Sequence, residues 1–399
     1  MIDFLCKSTF FSVLPLLFSL SAGPSFAGNS DIFAKNEYAQ VLHDLQYNHY
    51  LSQETLQMYK KFLENKKIYV GGAPAVYFEY KIVGKATKDK PYPIYISLHG
   101  GGRTTKEVND QQWENQINLY DIQFGIYIAP RAPWDDWNMW FQEPIDRVIE
   151  EFIKIFYYSD YQIDKERVYL LGYSAGGDGV WRLATRMPDA FAAASMMAGH
   201  PGDVSLKNLY NLPFMIWVGE NDSAYNRNKE CAKRITELSQ LRKQANNEGY
   251  EYSGHIVKGK GHWMDCEDKE AIPWMSKYVR NLYPKHVVWH QEEVVRNHFY
   301  QLEVDDKTAK QGDEAIVDFN YKNNSITVLK SDYQTLYINI NDSMFDMDKN
   351  IKVYNASGKL VFDDIVQRRK SQLLHSLHVY GAIYGAYPGQ IAVAKNMLN

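Results

Sequence analysis

Cysteine is scarce in this chain, and long runs of one charge are absent. Three cysteines occur among 399 residues, and the formal net charge is −4 without any basic stretch. Lacking such a stretch, the chain is not expected to have nucleic acid as its main partner. The histidines lack the spacing of a zinc site, and Asp135 and Asp136 lack the further oxygen ligands of a calcium loop. We therefore expect neither a metal nor a cofactor.

Long hydrophobic runs are missing too, apart from a short one near the N-terminus. Residues 10–20 are apolar, Lys7 precedes them, and small residues stand at Ser25 and Ala27. The run is short for a membrane span, and this order of features is typical of a secretory signal peptide. We expect cleavage after Ala27, a secreted or periplasmic protein, and no membrane contact after cleavage. An uncleaved anchor is the alternative.

The composition otherwise favours a folded protein with a large core. Hydrophobic residues make up 45% of the chain, with 30 Tyr and 9 Trp among them, which excludes disorder. The length suggests two domains. So many aromatic side chains serve either core packing or the binding of sugars, aromatic esters or polymers.

Short apolar runs alternate with helix-compatible stretches between residues 67 and 284. The runs cover 92–98, 125–129, 168–173, 192–197 and 214–218, with a more polar one at 252–257. The helical stretches cover 107–119, 145–156, 177–186, 229–245 and 271–281. Such alternation gives parallel strands with crossover helices on both faces. We predict a doubly wound α/β domain over 67–284, opened by an antiparallel strand pair.

The pattern changes to short strands separated by turn residues from residue 285 to residue 399. It predicts a small, mainly antiparallel β domain with a strand at 294–304 and one helix at 371–379. This β domain either binds a polymer or covers the α/β domain. Residues 28–66 form a polar, partly helical N-terminal extension without an assignable role.

The segment Gly172-Tyr173-Ser174-Ala175-Gly176 carries the strongest functional signal. An apolar strand precedes this Gly-x-Ser-x-Gly pattern and a helix-compatible stretch follows it. That context indicates a nucleophile elbow, in which Ser174 occupies a strained turn above the sheet. The alternative is a small residue in an ordinary tight turn.

A second glycine-rich segment, His-Gly-Gly-Gly at residues 99–102, ends the strand over 92–98. Glycines allow backbone N–H groups to approach an oxyanion closely. We expect Gly101 or Gly102 to donate one hydrogen bond and Ala175 the other, while His99 fixes the loop. A phosphate-binding loop is the alternative, but no Walker lysine follows.

The chain order Ser, Asp or Glu, then His predicts the two remaining catalytic groups. Asp222 follows the strand over 214–218 and is the expected acid, with Glu220 as the second choice and a helix cap as the non-catalytic alternative. His262 lies on a glycine-flanked loop after the strand over 252–257, so it is the expected base. His255 lies inside that strand and is expected to pack.

Aromatic residues follow the neighbouring strands and are expected to line the crevice. The side chains expected to contact substrate are Trp134, Trp137, His200 and Trp263. Trp140 is expected to pack beneath its loop. Asp178, one turn into the elbow helix, either lines the bottom of the pocket or packs against its neighbours. Cys231 and Cys266 fall near the same end of the sheet, where they form either a disulfide or two unpaired thiols.

These motifs resemble those of the α/β-hydrolase superfamily. The segments 98–102, 172–177, 219–222 and 261–263 are similar to those of secreted bacterial esterases of the poly(3-hydroxybutyrate) depolymerase and feruloyl esterase type. The resemblance covers about residues 67–283. It implies a serine carboxylic ester hydrolase that forms an acyl-serine intermediate on a small-molecule or polymeric ester. A serine peptidase on this fold and a non-catalytic polymer- or carbohydrate-binding relative are the alternatives.

Overall fold

The structure is a computed structural model that describes residues 30–305 and 307–398. The predicted signal peptide, residues 1–27, lies outside the described residues. The helices are α1 Tyr38–Leu45, α2 Gln53–Asn65, α3 Lys106–Leu119, α4 Ile145–Tyr157, α5 Ala175–Arg186, α6 Arg227–Gln244, α7 Ala271–Met275 and α8 Lys370–Tyr384. The first eight strands are β1 Lys67–Ile68, β2 Val76–Val83, β3 Tyr92–Leu98, β4 Gly125–Pro130, β5 Ile163–Tyr173, β6 Ala193–Met197, β7 Phe214–Gly219 and β8 Tyr252–Val257.

Strands β1 to β8 form one sheet in the order β1-β2-β4-β3-β5-β6-β7-β8. The pairs β1–β2 and β2–β4 are antiparallel, whereas β3 to β8 run parallel. Parallel neighbours need crossover connections, which α3 to α6 mostly supply. This sheet has the doubly wound, mostly parallel architecture of an α/β-hydrolase fold, and it confirms the predicted fold class.

Alternate residues of the central strands face two different apolar layers. Ile94 and Ile96 of β3 belong to a cluster with residues of α2, α4 and α5, while Tyr95 between them belongs to a second cluster with residues of α3 and α7. All of β3 is buried, because helices cover both faces of the sheet. Each buried side chain of this size contributes about 1.5–3 kcal/mol to folding.

The C-terminal part adds two smaller sheets. Its strands are β9 His286–His290, β10 His298–Phe299, β11 Leu302–Glu303, β12 Glu314–Asn320, β13 Ser325–Ser331, β14 Thr335–Ile340, β15 Ile351–Asn355, β16 Leu360–Asp364 and β17 Gly389–Ala394. They are ordered β16-β15-β13-β12-β9 and β10-β11-β14-β17. The pair β13–β15 is parallel and the other pairs are antiparallel. The mainly antiparallel character agrees with the prediction.

The helix predicted over 271–281 is shorter in the structure, where α7 ends at Met275. Beyond that point the chain turns back toward the start of β5, and the Arg280 N–H donates to the Glu166 carbonyl at 2.8 Å. The Arg280 side chain is buried as well. A tertiary contact therefore replaces the helical hydrogen bonds that the local sequence favours.

The strand predicted over 294–304 is instead a tight hairpin of β10 and β11. Tyr300 between them has a φ of 51°, a left-handed conformation that an extended strand cannot contain. The sequence pattern did not predict β9, which pairs with β12 along its whole length.

A buried group of charges joins the C-terminal part to the α/β part. Asp146 of α4 accepts hydrogen bonds from Arg186 at 2.5 Å and from Arg296 at 3.4 Å. Arg296 also donates to Glu150 at 2.9 Å. Buried ions are tolerated only with such partners. The apolar core also continues across residue 284, so the boundary there stays a prediction.

The N-terminal extension packs on α8 of the C-terminal part. Phe33 and Leu45 form an apolar cluster with Leu373, and the Asp31 carboxylate accepts the Ser371 N–H at 2.8 Å. These contacts give the extension a packing role that the sequence did not indicate. Within the described ranges, no helix combines the length and the apolarity that crossing a bilayer requires.

Candidate active site

Ser174 lies in the turn between β5 and α5, with φ 58° and ψ −121°. This is a sparsely populated conformation for a residue other than glycine, and such strain is typical of functional turns. The turn is fixed by the Ser174 N–H, which donates to the Met197 carbonyl at 2.9 Å. A Cβ atom on Gly176 would lie 2.0 Å from the Leu98 carbonyl oxygen. The small residues of the motif therefore allow α5 to meet β3 directly.

Three side chains from three different strand ends meet at this turn. The His262 Nε2 lies 2.9 Å from the Ser174 Oγ, and the His262 Nδ1 lies 2.8 Å from the Asp222 Oδ2. Asp222 follows β7, and His262 follows β8, so both loops open at the carboxyl edge of the sheet. A carboxylate on Nδ1 favours the tautomer whose Nε2 accepts the serine proton. The arrangement can thus generate a nucleophilic alkoxide at Ser174.

Asp222 is almost fully buried at 2% exposure. Burial alone would favour the neutral acid, but the hydrogen bond from His262 and the guanidinium of Arg227 lower the pKa of Asp222 below its ordinary value. Arg227 donates from Nη1 to the Asp222 Oδ1 at 3.0 Å. Glu220, the second choice for the acid, is exposed and accepts the Gly259 N–H at 2.8 Å. The structure therefore brings Asp222, and not Glu220, to His262.

The glycine loop passes beside the nucleophile. A Cβ atom on Gly100 would lie 3.1 Å from the Ser174 Cβ. The Gly102 N–H is already donated to the Asn109 Oδ1 at 2.8 Å, so it is not free to stabilise an oxyanion. Gly101 has a φ of 106°, which requires glycine, and of the two expected loop donors it is the one whose N–H is not donated to Asn109. Ala175 begins α5, where helix N–H groups have no partner within the helix.

Asn109 of α3 is a site residue that the sequence reasoning missed. It is fully buried, and besides accepting the Gly102 N–H it donates to the Asp135 Oδ1 at 2.8 Å. A polar residue on the buried side of a helix is the signal that could have found Asn109, because buried polar groups are hydrogen-bonded. Arg227 was missed as well, since no motif links an arginine to the acid of this constellation.

His99 holds the loop, as expected, without reaching the nucleophile. Its Nδ1 donates to the Gly100 carbonyl at 2.6 Å, and its Nε2 accepts the Ala132 N–H at 3.0 Å. The edge of its ring packs on Trp140, which is fully buried. Burial lowers the pKa of His99 to about 3. His99 is therefore a neutral structural residue.

The residues expected to contact substrate differ in exposure. Trp137 is 62% exposed and packs on Phe141, and Trp263 is 50% exposed and packs on Tyr173. The Trp137 Cα would lie 3.4 Å from a Cβ atom on Gly102, so this tryptophan adjoins the glycine loop. Trp263 directly follows His262. The Trp137 indole therefore lies beside the glycine loop, and the Trp263 indole lies beside His262.

The other two candidates are less available to a ligand. Trp134 is partly buried against the core. His200 is also partly buried, and its Nδ1 accepts the Gly202 N–H at 2.9 Å. Its own N–H donates to Asp178 at 2.6 Å, so Asp178 supports the loop that carries His200.

Cys231 and Cys266 are free thiols in the structure. Cys231 is buried and lies 3.4 Å from the Gly199 carbonyl oxygen, while Cys266 is partly exposed. In the part of the chain that the structure describes, no group of three or more His, Cys, Asp or Glu side chains is arranged to hold a metal ion.

Comparison by sequence gives little beyond a weak similarity. No family model matches the chain. A curated protein of Arthroderma benhamiae, named only as an uncharacterized secreted protein, is 25% identical over 142 residues, which cover 33% of this chain and 14% of that protein. The chain thus spans a small part of that relative's length.

Several solved structures resemble part of the chain. A thermostable esterase is 20% identical with a TM-score of 0.42, over 54% of this chain and 63% of its own. A CE1 ferulic acid esterase from Anaeromyces mucronatus is 15% identical with a TM-score of 0.37, over 53% and 89%. A fluorophosphonate-binding serine hydrolase of Staphylococcus aureus is 16% identical with a TM-score of 0.37, over 53% and 96%.

Proposed function

We propose that this protein is a serine carboxylic ester hydrolase. The observation that carries the proposal is the continuous hydrogen-bonded line from Ser174 through His262 to Asp222, at 2.9 and 2.8 Å. A serine, a base and a group that orients the base are the parts that acyl transfer requires. The strained conformation of Ser174 supports the same assignment.

In the proposed reaction, His262 takes the proton of the Ser174 hydroxyl as the oxygen attacks the ester carbonyl. The carbonyl oxygen becomes an oxyanion that the N–H groups of Gly101 and Ala175 stabilise. The tetrahedral intermediate collapses when the carbon–oxygen bond of the ester breaks, and His262 delivers the proton to the departing alcohol. Water then repeats the sequence on the acyl-serine, which releases the carboxylic acid and restores the Ser174 hydroxyl.

The substrate class follows from the surroundings of the nucleophile. Trp137 and Trp263 offer exposed, flat apolar surfaces, which suit an acyl chain, an aromatic ester or a polymer end. The motif resemblance favours esterases of the poly(3-hydroxybutyrate) depolymerase and feruloyl esterase type. We also propose that residues 1–27 are cleaved off and that the protein is exported from the cytoplasm.

The test is hydrolysis of p-nitrophenyl esters from acetate to octanoate by the chain from residue 28 onward. We expect turnover that Ser174→Ala abolishes and that Asp222→Asn lowers by about three to four orders of magnitude, because the imidazole loses its orienting carboxylate. Glu220→Gln is the matched control and should retain the wild-type rate. A folded wild-type protein that hydrolyses none of the esters would refute the proposal and direct attention to peptides.

A further inference from the structure

A hydrogen bond joins one carboxylate to His262, and a second carboxylate acts on it through its charge. Asp222 bonds its Nδ1 directly. Asp178 of α5 is half-buried, and burial raises the pKa of Asp178 above its ordinary value, although the charges of Arg227, His200 and His262 act in the opposite direction. Two negative charges near one imidazole favour its protonated form. A protonated imidazole cannot accept the proton of a serine.

Arg227 is the cation bonded to Asp222. Its side chain is 12% exposed, and its Nη1 donates to the Asp222 Oδ1 and, at 3.5 Å, to the Ala224 carbonyl. The other oxygen of the same carboxylate bonds His262. The guanidinium and the imidazole are thus coupled through one buried carboxylate.

The turn before α6 holds the guanidinium in place. Tyr225 and Asn226 both have left-handed backbones, with φ of 55° and 58°, and consecutive residues of this kind are costly without a purpose. The turn places the Tyr225 ring 5.1 Å from the Arg227 Cζ, within the range of a cation–π contact. Within the described residues the buried Arg227 Nε has no hydrogen-bond partner.

Three further titratable residues, Tyr173, Cys231 and His200, lie beside this cluster. Tyr173 of β5 donates to the His262 carbonyl, and burial raises the pKa of Tyr173. Burial likewise raises the pKa of the Cys231 thiol of α6 to about 12, so both groups stay neutral at neutral pH. His200 donates its backbone N–H to Asp178.

We propose that Arg227 is a positioning residue that holds Asp222 against His262 and offsets the negative charge of that carboxylate at the base. The inference rests on the proposed hydrolase function. It assigns Arg227 a role in the pH range of the reaction, besides its role in holding the acid.

The direction of the effect follows from the charges. Without the guanidinium, the charge of Asp222 is no longer offset, so this carboxylate stabilises the protonated form of the base more strongly. The acidic limb of the pH profile of kcat/KM reports the ionisation of the base in the free enzyme. We expect Arg227→Met to move this limb upward by about one pH unit, and Arg227→Lys to keep it near the wild-type position.

The matched control is Arg234 on the same helix. Its side chain is also 12% exposed, and it donates to the Glu237 Oε2 at 2.8 Å, but it lies two turns along α6 from Arg227. Arg234→Met should leave the acidic limb in place. If Arg227→Met lowers kcat equally at every pH and does not move the limb, the role of Arg227 is structural and the inference is wrong.

A second measurement separates this inference from the proposed function. The titration of His262 is followed by NMR on selectively labelled protein, with and without Arg227→Met, in the absence of any substrate. An upward shift of the His262 midpoint in the variant supports the inference even if no ester is turned over, and an unchanged midpoint overturns it even if the wild type is an active esterase.

Discussion

The buried His99 should make the protein sensitive to mild acid. The ring is fully buried with both nitrogens bonded, and its folded-state pKa is about 3 against 6.5 for the exposed group. Because the folded-state pKa is the lower one, the unfolded chain binds the proton first. The contribution to stability is complete above pH 6.5 and is lost as the pH falls toward 3.

The magnitude follows from the width of that window. Each pH unit below 6.5 removes about 1.4 kcal/mol from the free energy of unfolding. Between pH 7 and pH 5, His99 alone therefore costs the wild type about 2 kcal/mol. Other groups titrate in the same range with the opposite sign; burial raises the pKa of Glu292 to about 7. The effect of His99 is thus best measured as a difference between two proteins.

The variant His99→Gln keeps an acceptor near the Ala132 N–H but does not titrate. At pH 7 it should be less stable than wild type by about 1–3 kcal/mol, because the bond to the Gly100 carbonyl is lost. At pH 5 this gap should shrink by about 2 kcal/mol. Urea unfolding followed by tryptophan fluorescence measures both values.

The control is His43→Gln, which changes a histidine whose side chain is 67% exposed. It should leave the pH dependence of stability unchanged, because this side chain meets solvent in both states. A gap between wild type and His99→Gln that stays constant from pH 7 to pH 5 would refute the reasoning.

Two further variants test the packing around the site. Gly176→Ala should lower stability by at least about 3 kcal/mol or prevent folding, since its Cβ would lie 2.0 Å from the Leu98 carbonyl oxygen. Thermal unfolding measures this loss. Gly71→Ala is the neutral control, because a Cβ atom there meets nothing within 4 Å. Asp146→Asn should cost about 3–5 kcal/mol, because it leaves two buried arginines short of a charge. Asp203→Asn, in a pair whose carboxylate is 87% exposed, should cost less than about 1 kcal/mol in urea unfolding.

The parts of the site that the sequence predicted are those with a local signature. Ser174 stands between the apolar run 168–173 and a helix, and Asp222 and His262 each follow a recognisable strand. Parallel strands bring their carboxyl ends to one edge of the sheet, so the order of these residues was enough to predict that they meet. The fold class was predictable for the same reason, since strands covered on both faces read as unbroken apolar runs.

The parts that the sequence did not predict depend on contacts between distant elements. The sequence of the glycine loop does not indicate that the Gly102 N–H donates to Asn109, a residue of the next helix. The pairing of Arg227 with Asp222 depends on a strained turn that no propensity favours. The hairpin around Tyr300 and the early end of α7 likewise arise from tertiary packing that overrides local preference.

Each loop of the candidate site is held by a residue that does not itself react. Asn109 fixes the glycine loop, Arg227 fixes the carboxylate of Asp222, and Asp178 fixes the segment that begins with His200. These three residues lie on α3, α6 and α5, on the helices that cross between the strands. The reacting atoms are therefore positioned by the crossover helices as much as by the strand ends. Since preorganised donors and charges need no rearrangement during the reaction, the rate should depend on these supporting residues.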